Sequence, residues 1–135
     1  MKERMRNLFQ LGDYTLHSGM QSNFKIDCDA LTNADWDTLA YLACKKLKLV
    51  GTSPVVPIPT GGIKFAEAIQ GWMGDSLNLQ DNDVLVVDDV LTTGASFEKA
   101  KEALIVLGWH PDNIIGVVAF ARGQCPNWVH PIFQM

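Results

Sequence analysis

The sequence has few cysteines and no hydrophobic run long enough to cross a membrane as a helix. Its three cysteines, Cys28, Cys44 and Cys125, lack the spacing of a metal site, and their odd number indicates reduced thiols. Cys44 falls on the apolar side of a predicted helix, where core packing accounts for it. Residues 1–6 are mostly charged, and no apolar signal segment follows them. These absences predict a cytoplasmic protein that does not insert into membranes.

Positive charge is scarce, and a long stretch in the middle of the chain has none. The chain contains 11 Lys and Arg residues against 15 Asp and Glu residues, which gives a formal net charge of −4. No Lys or Arg occurs between Lys64 and Lys99, and Arg122 is the only arginine after Arg6. Because proteins that bind nucleic acid present a basic patch to the phosphates, this distribution argues against nucleic acid as a partner.

The composition is typical of one globular domain. Of the 135 residues, 47% are hydrophobic and 19% are charged, and no linker, repeat or low-complexity run divides the chain. A chain of this length buries roughly 68–70% of the surface that it exposes when unfolded. We divide it into an N-terminal helix and hairpin (residues 1–30), a core (31–123) and an aromatic tail (124–135).

Hydrophobic periodicity predicts alternating helices and strands. A short helix over residues 2–11 ends at Gly12, and two short strands around Tyr14 and Phe24 form a hairpin. The core is predicted to contain helices at residues 32–49, 63–73 and 97–107 and strands at residues 54–59, 84–87 and 114–121. This order predicts an α/β protein, a three-layer sandwich with a mainly parallel sheet.

The most informative stretch, residues 84–96, is Val-Leu-Val-Val-Asp-Asp-Val-Leu-Thr-Thr-Gly-Ala-Ser. Four apolar residues predict a buried parallel strand, and Asp88 and Asp89 follow directly. A small polar loop then leads into a helix, so backbone N–H groups, hydroxyls and the helix N-terminus can all bind a phosphate. The carboxylates do not attract a phosphate, but they accept hydrogen bonds from neutral sugar hydroxyls beside it. The stretch therefore predicts a phosphosugar site.

This stretch resembles the signature of the type I phosphoribosyltransferases, which use 5-phosphoribosyl-1-diphosphate (PRPP). The family pattern is four apolar residues, an acidic pair, two apolar residues and a Thr/Ser/Gly-rich loop, and every position here fits it. The resemblance implies the family fold, with the acids on the ribose hydroxyls and the loop on the 5′-phosphate. The implied PRPP-binding residues are Asp88, Asp89, Val90, Leu91, Thr92, Thr93, Gly94, Ala95 and Ser96.

A second loop also follows a predicted strand and precedes a predicted helix. It contains Thr60, Gly61 and Gly62, and its two glycines allow backbone dihedral angles closed to other residues and close approach by a ligand. In the family this loop holds the diphosphate, and the form Thr-Gly-Gly-Ile is similar to that of orotate-type members. The resemblance therefore implies a pyrophosphate loop of Thr60, Gly61 and Gly62, with Lys64 as the nearby cation.

The hairpin and the last core strand resemble the orotate phosphoribosyltransferase branch. In that branch a hood over the base has a pattern that is matched here by Tyr14, Leu16, Ser18, Gly19, Ser22 and Asp27. An arginine near the end of the corresponding strand pairs with the orotate carboxylate, and Arg122 matches it. The implied base-binding residues are Arg122, Thr92, His17, Ser22 and Phe24. Two positions depart from the pattern, because His17 replaces a lysine and Ala121 replaces an aspartate.

The segment before Val84 departs most from the family. Orotate phosphoribosyltransferases carry a mobile Arg/Lys-rich loop there, which closes over the diphosphate and supplies a catalytic lysine. Here the corresponding segment, residues 74–83, is short and acidic. Because a leaving diphosphate needs positive charge as its bond breaks, this chain is expected to depend on Mg²⁺, loop amides and Lys64. No catalytic residue is assigned.

The resemblance implies transfer of the phosphoribosyl group from PRPP to a pyrimidine base, and Arg122 and the hood segment favour orotate. Mg²⁺ would be held mainly by substrate oxygens and water, without direct protein ligands, and a homodimer is the family's usual state. Two alternatives stay open. One is a phosphoribosyltransferase for uracil or a purine, and the other is a non-catalytic PRPP or nucleotide sensor, which the missing basic loop favours.

The tail is aromatic and apolar, but Pro126 and Pro131 argue against a helix. It is expected to lie on a surface, either at the domain edge, over the base pocket or in a dimer contact. His110 and His130 have no metal-ligand partners near them in sequence, so we expect structural or exposed roles for both.

Overall fold

The structure, a computed structural model, describes residues 8–15, 21–47, 54–73 and 83–135. The strands are β1 (Phe9–Thr15), β2 (Gln21–Ile26), β3 (Val55–Pro57), β4 (Val84–Leu91), β5 (Ile114–Ala121) and β6 (Val129–Gln134). The helices are α1 (Asn33–Leu47), α2 (Ile63–Met73) and α3 (Ala95–Val106). These elements confirm the predicted helices and strands of the core, with ends that differ by a few residues. Within the described ranges, no helix combines the length and apolarity that crossing a membrane requires.

A four-stranded parallel sheet with the order β3–β4–β5–β6 forms the centre of the fold. β4 pairs with β3 on one side and β5 on the other, so it is an internal strand of the sheet. Helices cover both of its faces, which explains its run of Val and Leu. Successive side chains of a strand point to opposite faces. Leu85 and Val87 therefore belong to one hydrophobic cluster, whereas Val84 and Val86 belong to another.

Different helices cover the two faces of the sheet, which gives three layers. α1 and α2 pack on the face of Leu85 and Val87, where the rings of Trp36 and Phe65 lie 5.5 Å apart. α3 covers the opposite face through the buried ring of Phe97. This arrangement confirms the predicted three-layer α/β sandwich with a mainly parallel sheet.

α1 begins where the sequence predicts a helix start. The Thr32 hydroxyl accepts a hydrogen bond from the Asp35 N–H at 3.1 Å, and the Asp35 carboxylate accepts one from the Thr32 N–H at 2.8 Å. Such reciprocal bonds form a capping box, which satisfies two N–H groups at the helix end. The same bonds hold the pKa of Asp35 below its ordinary value.

The N-terminal segment is a strand where the sequence predicted a helix. Residues 2–7 of that predicted helix lie outside the described residues, but residues 9–11 belong to β1. β1 and β2 form a separate antiparallel sheet, with Phe9 opposite Ile26. Leu8 and Ile26 both pack against the core. For residues 9–11 the helix prediction was wrong because pairing with β2, a contact distant in sequence, supplies the backbone partners that a helix would supply locally.

The tail forms β6, an edge strand that the sequence analysis did not predict. β6 runs parallel to β5, and the ring of Phe133 stacks on that of Phe120 at 5.6 Å. Pro131 is compatible with this strand because an edge strand leaves one row of N–H groups without sheet partners. Of the three places expected for the tail, the structure confirms the domain edge.

Candidate functional site

A cavity of about 540 Å³ opens at the carboxyl ends of β4 and β5. Ligands bind at this edge in open α/β sheets. Residues 88–96, the predicted PRPP segment, line the cavity over their whole length, and Thr60, Gly61 and Arg122 line it as well. The structure thus brings together the predicted acids, most of the predicted pyrophosphate loop and the predicted base-binding arginine.

Asp88 is a buried carboxyl group near the end of β4. β4 is longer than the predicted four-residue strand and continues to Leu91, so the parallel ladder fixes the backbone of both acids. The Oδ1 atom of Asp88 accepts a hydrogen bond from the Asp89 N–H at 2.8 Å. Burial, together with a hydrogen bond to the Asp89 side chain and the negative charge of Asp89, raises the pKa of Asp88 to about 8, although the bond from the Asp89 N–H acts in the opposite direction. The shift favours the protonated carboxyl group, whose O–H can donate the hydrogen bond to the Asp89 side chain.

Asp89 lies against a thiol and a backbone N–H group. Its Oδ1 atom accepts a hydrogen bond from the Val90 N–H at 2.8 Å, and the Cys28 thiol bonds to the same side chain. Burial of Cys28 and the charge of Asp89 raise the pKa of the thiol far above its ordinary value, so Cys28 stays protonated and acts as a donor. These contacts fix the orientation of the Asp89 carboxylate.

The two glycines of the predicted pyrophosphate loop pack directly against β4. A Cβ atom on Gly61 would lie 2.5 Å from the Oδ2 atom of Asp89, and one on Gly62 would overlap the carbonyl oxygen of Val87. Both contacts are closer than real Cβ atoms show. The glycine pair is therefore required by close packing on the acid-bearing strand, a reason that the sequence pattern did not reveal.

The loop after β4 leads into α3 without a capping side chain at the N-cap position. Gly94 occupies that position with φ of +86°, a left-handed conformation that glycine adopts without strain. The Thr93 hydroxyl accepts a hydrogen bond from the Ala95 N–H at 3.3 Å, and Ser96 places a second hydroxyl in the first turn. Because Gly94 supplies no capping side chain, an anionic ligand can take the place of a cap at the positive end of the helix.

Arg122 follows β5 directly and is tied to the end of β4. Its N–H donates a hydrogen bond to the Leu91 carbonyl at 2.8 Å. The Gln134 side chain of β6 donates hydrogen bonds to the carbonyl oxygens of Ala121 at 3.3 Å and Gly123 at 3.0 Å. The tail therefore supports the backbone on both sides of the arginine, a role that sequence reasoning missed.

The hairpin contributes cavity residues, of which Tyr14 and Asp27 match the hood pattern and Thr15 and Lys25 had not been singled out from the sequence. Tyr14, Thr15, Lys25 and Asp27 line the cavity, and the Lys25 Nζ atom lies 5.4 Å from the centroid of the Tyr14 ring. Asp27 is buried, and its carboxylate accepts a hydrogen bond from the Gln10 Nε2 atom at 2.7 Å. The alternation of side chains along β2 is the signal that could have placed Lys25 on the cavity face.

Other predicted site residues do not line the cavity or lie outside the described residues. Gly62 is buried beneath the loop, and Lys64 is exposed on α2 and is not a lining residue. Ser22 and Phe24 lie in β2, but their side chains and all of His17 are outside the described part of the chain. The same holds for residues 74–82, where the family carries its basic loop.

The donor set suits a metal ion that arrives with a ligand. Within the described ranges, no three His, Cys, Asp or Glu side chains group closely enough to hold a metal ion. Asp88 and Asp89 are adjacent, but the raised pKa of Asp88 favours its protonated form. Mg²⁺ usually keeps several waters and uses one or two carboxylates plus substrate phosphates, a pattern that these residues can accommodate.

Comparisons with known sequences identify relatives of this chain, although no model of a protein family matches it. It is 30% identical over 117 residues to the orotate phosphoribosyltransferase of Sulfurisphaera tokodaii, a match that covers 72% of the chain and 60% of that protein. It is also 30% identical over 114 residues to the orotate phosphoribosyltransferase of Saccharolobus solfataricus. That match covers 70% of this chain and 58% of that protein. The chain thus spans about 60% of the length of these relatives.

Solved structures share the fold. The crystal structure of orotate phosphoribosyltransferase from Aeropyrum pernix matches with a TM-score of 0.71 at 27% identity, over 86% of this chain and 76% of that one. The orotate phosphoribosyltransferase of Mycobacterium tuberculosis H37Rv in complex with Fe(III) dicitrate matches with a TM-score of 0.69 at 18% identity. That match covers 94% of this chain and 89% of that one, and at this identity it shows the fold alone. These relatives confirm the resemblance of this chain to the type I phosphoribosyltransferases, and to their orotate phosphoribosyltransferase-like branch.

Proposed function

We propose that this protein transfers the 5-phosphoribosyl group of PRPP to a pyrimidine base, with orotate as the favoured base. The products would be orotidine 5′-phosphate and pyrophosphate. The observation that carries the proposal is the cavity in which the acid pair, the loop before α3 and Arg122 meet. The 30% identity to proteins named orotate phosphoribosyltransferase supports the same reaction.

Each part of PRPP has a complementary group in the cavity. Asp89 would accept hydrogen bonds from the ribose hydroxyls, while Asp88, whose own proton lies toward Asp89, would accept one as well. Residues 92–96 would bind the 5′-phosphate through N–H groups and hydroxyls. Thr60 and Gly61 would bind the diphosphate, with Gly62 supporting their loop from below.

The reaction is a displacement at the ribose C1 atom. The bond from C1 to the diphosphate oxygen breaks, and its electron pair leaves with pyrophosphate. The lone pair of a pyrimidine ring nitrogen forms the new C1–N bond. Positive charge develops on the ribose in an oxocarbenium-like state, and the carboxylate of Asp89 beside the sugar would stabilise it. A general base is unnecessary when the pyrimidine enters as an anion, and none is assigned.

Two further parts of the proposal come from the resemblance. Mg²⁺ bound through diphosphate oxygens and water would neutralise charge on the leaving group. The protein would also be a cytoplasmic homodimer, for which light scattering should give twice the mass of the 14.9 kDa chain. A monomer at assay concentrations would contradict the dimer.

The direct test is release of pyrophosphate from PRPP in the presence of Mg²⁺ and one base at a time. We expect release with orotate and little with uracil or a purine. Arg122→Ala should lower the rate with orotate at least about 100-fold, because the carboxylate loses a bidentate charged partner. Release with uracil or a purine but not with orotate would contradict the base assignment.

A non-catalytic PRPP sensor on the same fold is the second candidate. The charge distribution favours it, because residues 65–98 contain no Lys or Arg and a leaving diphosphate needs positive charge. A sensor would bind PRPP in a calorimetric titration without releasing pyrophosphate with any base. Turnover with orotate would exclude this candidate.

A further inference from the structure

Cationic side chains are few at the cavity. Among the described residues that line it, Lys25 and Arg122 are the two that carry positive charge. Three carboxyl groups, of Asp27, Asp88 and Asp89, line the same cavity. A substrate with a phosphate and a diphosphate therefore meets few cations there, so each one has a large influence on binding.

The hairpin holds the Lys25 ammonium group against an aromatic ring. Lys25 pairs with Gln10 across the two strands, and the register shifts between Leu11 and Tyr14, which marks a bulge in β1. A bulge redirects the side chains that follow it, here that of Tyr14. The Tyr14 hydroxyl donates a hydrogen bond to the Leu11 carbonyl at 3.2 Å, which fixes the ring beneath the Lys25 Nζ atom at 5.4 Å.

A ring face contacts one side of an ammonium group, whereas lysine has three N–H donors. The contact with Tyr14 therefore leaves donors of Lys25 for a ligand. The neighbouring acid, Asp27, accepts hydrogen bonds from the Gln10 side chain at 2.7 Å and the Asp29 N–H at 3.2 Å. Lys25 itself is half-buried on the cavity wall, where an incoming anion would reach it.

We propose that Lys25 is a substrate-binding residue that supplies positive charge to the cavity from the hairpin. It would bind an anionic group, either the diphosphate of PRPP or the carboxylate of the base. The inference rests on the proposed function, because it requires PRPP or orotate to enter this cavity. Arg122 places positive charge at the end of β5, and Lys25 would place positive charge on the opposite, hairpin wall of the cavity. Two separate parts of the fold would therefore attract the anionic substrate.

The test compares Lys25→Gln with Lys45→Gln. Lys45, in α1, lies 5.7 Å from the centroid of the Tyr41 ring, so both substitutions remove one charge and one contact with a tyrosine ring. Lys45 does not line the cavity. Calorimetric titrations at low salt with Mg²⁺ would use PRPP, pyrophosphate and orotate separately. We expect Lys25→Gln to weaken at least one ligand about tenfold and Lys45→Gln to change none more than about twofold.

The pattern of losses identifies the anion that Lys25 contacts. Weaker pyrophosphate binding with unchanged orotate binding would indicate the diphosphate, and the reverse would indicate the base carboxylate. Lys25→Arg keeps the charge and should stay within about threefold of the wild type, and thermal unfolding checks the fold of each variant. Equal, small effects of Lys25→Gln and Lys45→Gln would overturn this role but not the proposed function. A wild-type protein that binds none of the three ligands would overturn both.

Discussion

The two sides of the cavity are built in different ways. The sheet side consists of the ends of β4 and β5, where the parallel register aligns Asp88 with Val118 and ties Arg122 to Leu91. The hairpin side is a separate two-stranded sheet with an irregular register. The sheet side supplies acids and helix-end N–H groups, whereas the hairpin supplies Lys25. Under the proposed function, the core would recognise the sugar and phosphate of PRPP, and the hairpin would add positive charge.

The largest effect is expected from the acid pair of the sheet side. Asp88→Asn combined with Asp89→Asn keeps side-chain size but removes the carboxyl groups that would bind the ribose hydroxyls. Because each hydrogen bond that the charged Asp89 carboxylate would accept from the two ribose hydroxyls contributes about 1.5–3 kcal/mol, PRPP affinity in calorimetry should fall at least about 100-fold. Glu67→Gln combined with Asp112→Asn removes two exposed acids and serves as the control. Equal affinity in both double variants would show that the pair does not contact PRPP.

The protonation of Asp88 gives a prediction about stability. The folded protein releases this proton at about pH 8, whereas the unfolded chain releases it near the ordinary value of 3.8. Between these values the folded state holds the extra proton, so this residue makes the free energy of unfolding fall as pH rises. Asp88→Asn removes that dependence. Its free energy of unfolding relative to wild type should rise by roughly 2–4 kcal/mol from pH 5 to pH 8 in urea titrations. Identical pH dependence in the two proteins would contradict a protonated Asp88.

The close packing of the glycine loop predicts a smaller effect. In Gly61→Ala the new methyl group would displace the Asp89 carboxylate, because it would lie 2.5 Å from Oδ2. PRPP affinity should fall about tenfold, or 1.4 kcal/mol on the usual conversion. Gly71→Ala in α2 is the control, since no atom lies within 4 Å of the added Cβ. It should keep the affinity and stabilise the helix by about 0.5–1 kcal/mol. Full affinity in Gly61→Ala would show that the position of Asp89 is unimportant.

The smallest effect is expected from the ring beneath Lys25. Tyr14→Leu removes the cation–π contact but keeps the lysine, so the ligand that Lys25→Gln weakens should bind about threefold less tightly. Tyr41→Leu removes the corresponding contact with Lys45 and should have no effect on binding. A loss in Tyr14→Leu greater than that in Lys25→Gln would indicate that the tyrosine itself contacts the ligand.

The sheet side could be predicted from sequence because its signals are local. The short, Val-rich apolar run before Asp88 is typical of a buried strand, and the polar loop before α3 is adjacent in the chain. Strand ends in a parallel sheet share one edge, so the loop before α2 and Arg122 were also expected there. The reason for the Gly61–Gly62 pair was not predictable, because it depends on a distance to Asp89 across two strands.

The hairpin side and the tail could not be predicted because their structure depends on distant contacts. Residues 9–11 fit a helical period as well as a strand, and only the pairing with β2 decides between them. β6 contains Pro131, which argues against an internal strand but is tolerated at a sheet edge. Lys25 belongs to no motif, and its place on the cavity depends on the pairing of β2 with β1.

The proposed function requires PRPP to bind at the carboxyl end of β4, beside Asp88 and Asp89. The most direct measurement is a titration of the ¹⁵N-labelled protein with PRPP and Mg²⁺, followed by amide chemical shifts. We expect the largest shifts on residues 88–96 and on Thr60 and Gly61, smaller shifts around Lys25, and none in the exposed turns of α1. Unchanged spectra at saturating PRPP, or shifts confined to surfaces away from this edge of the sheet, would contradict PRPP binding there.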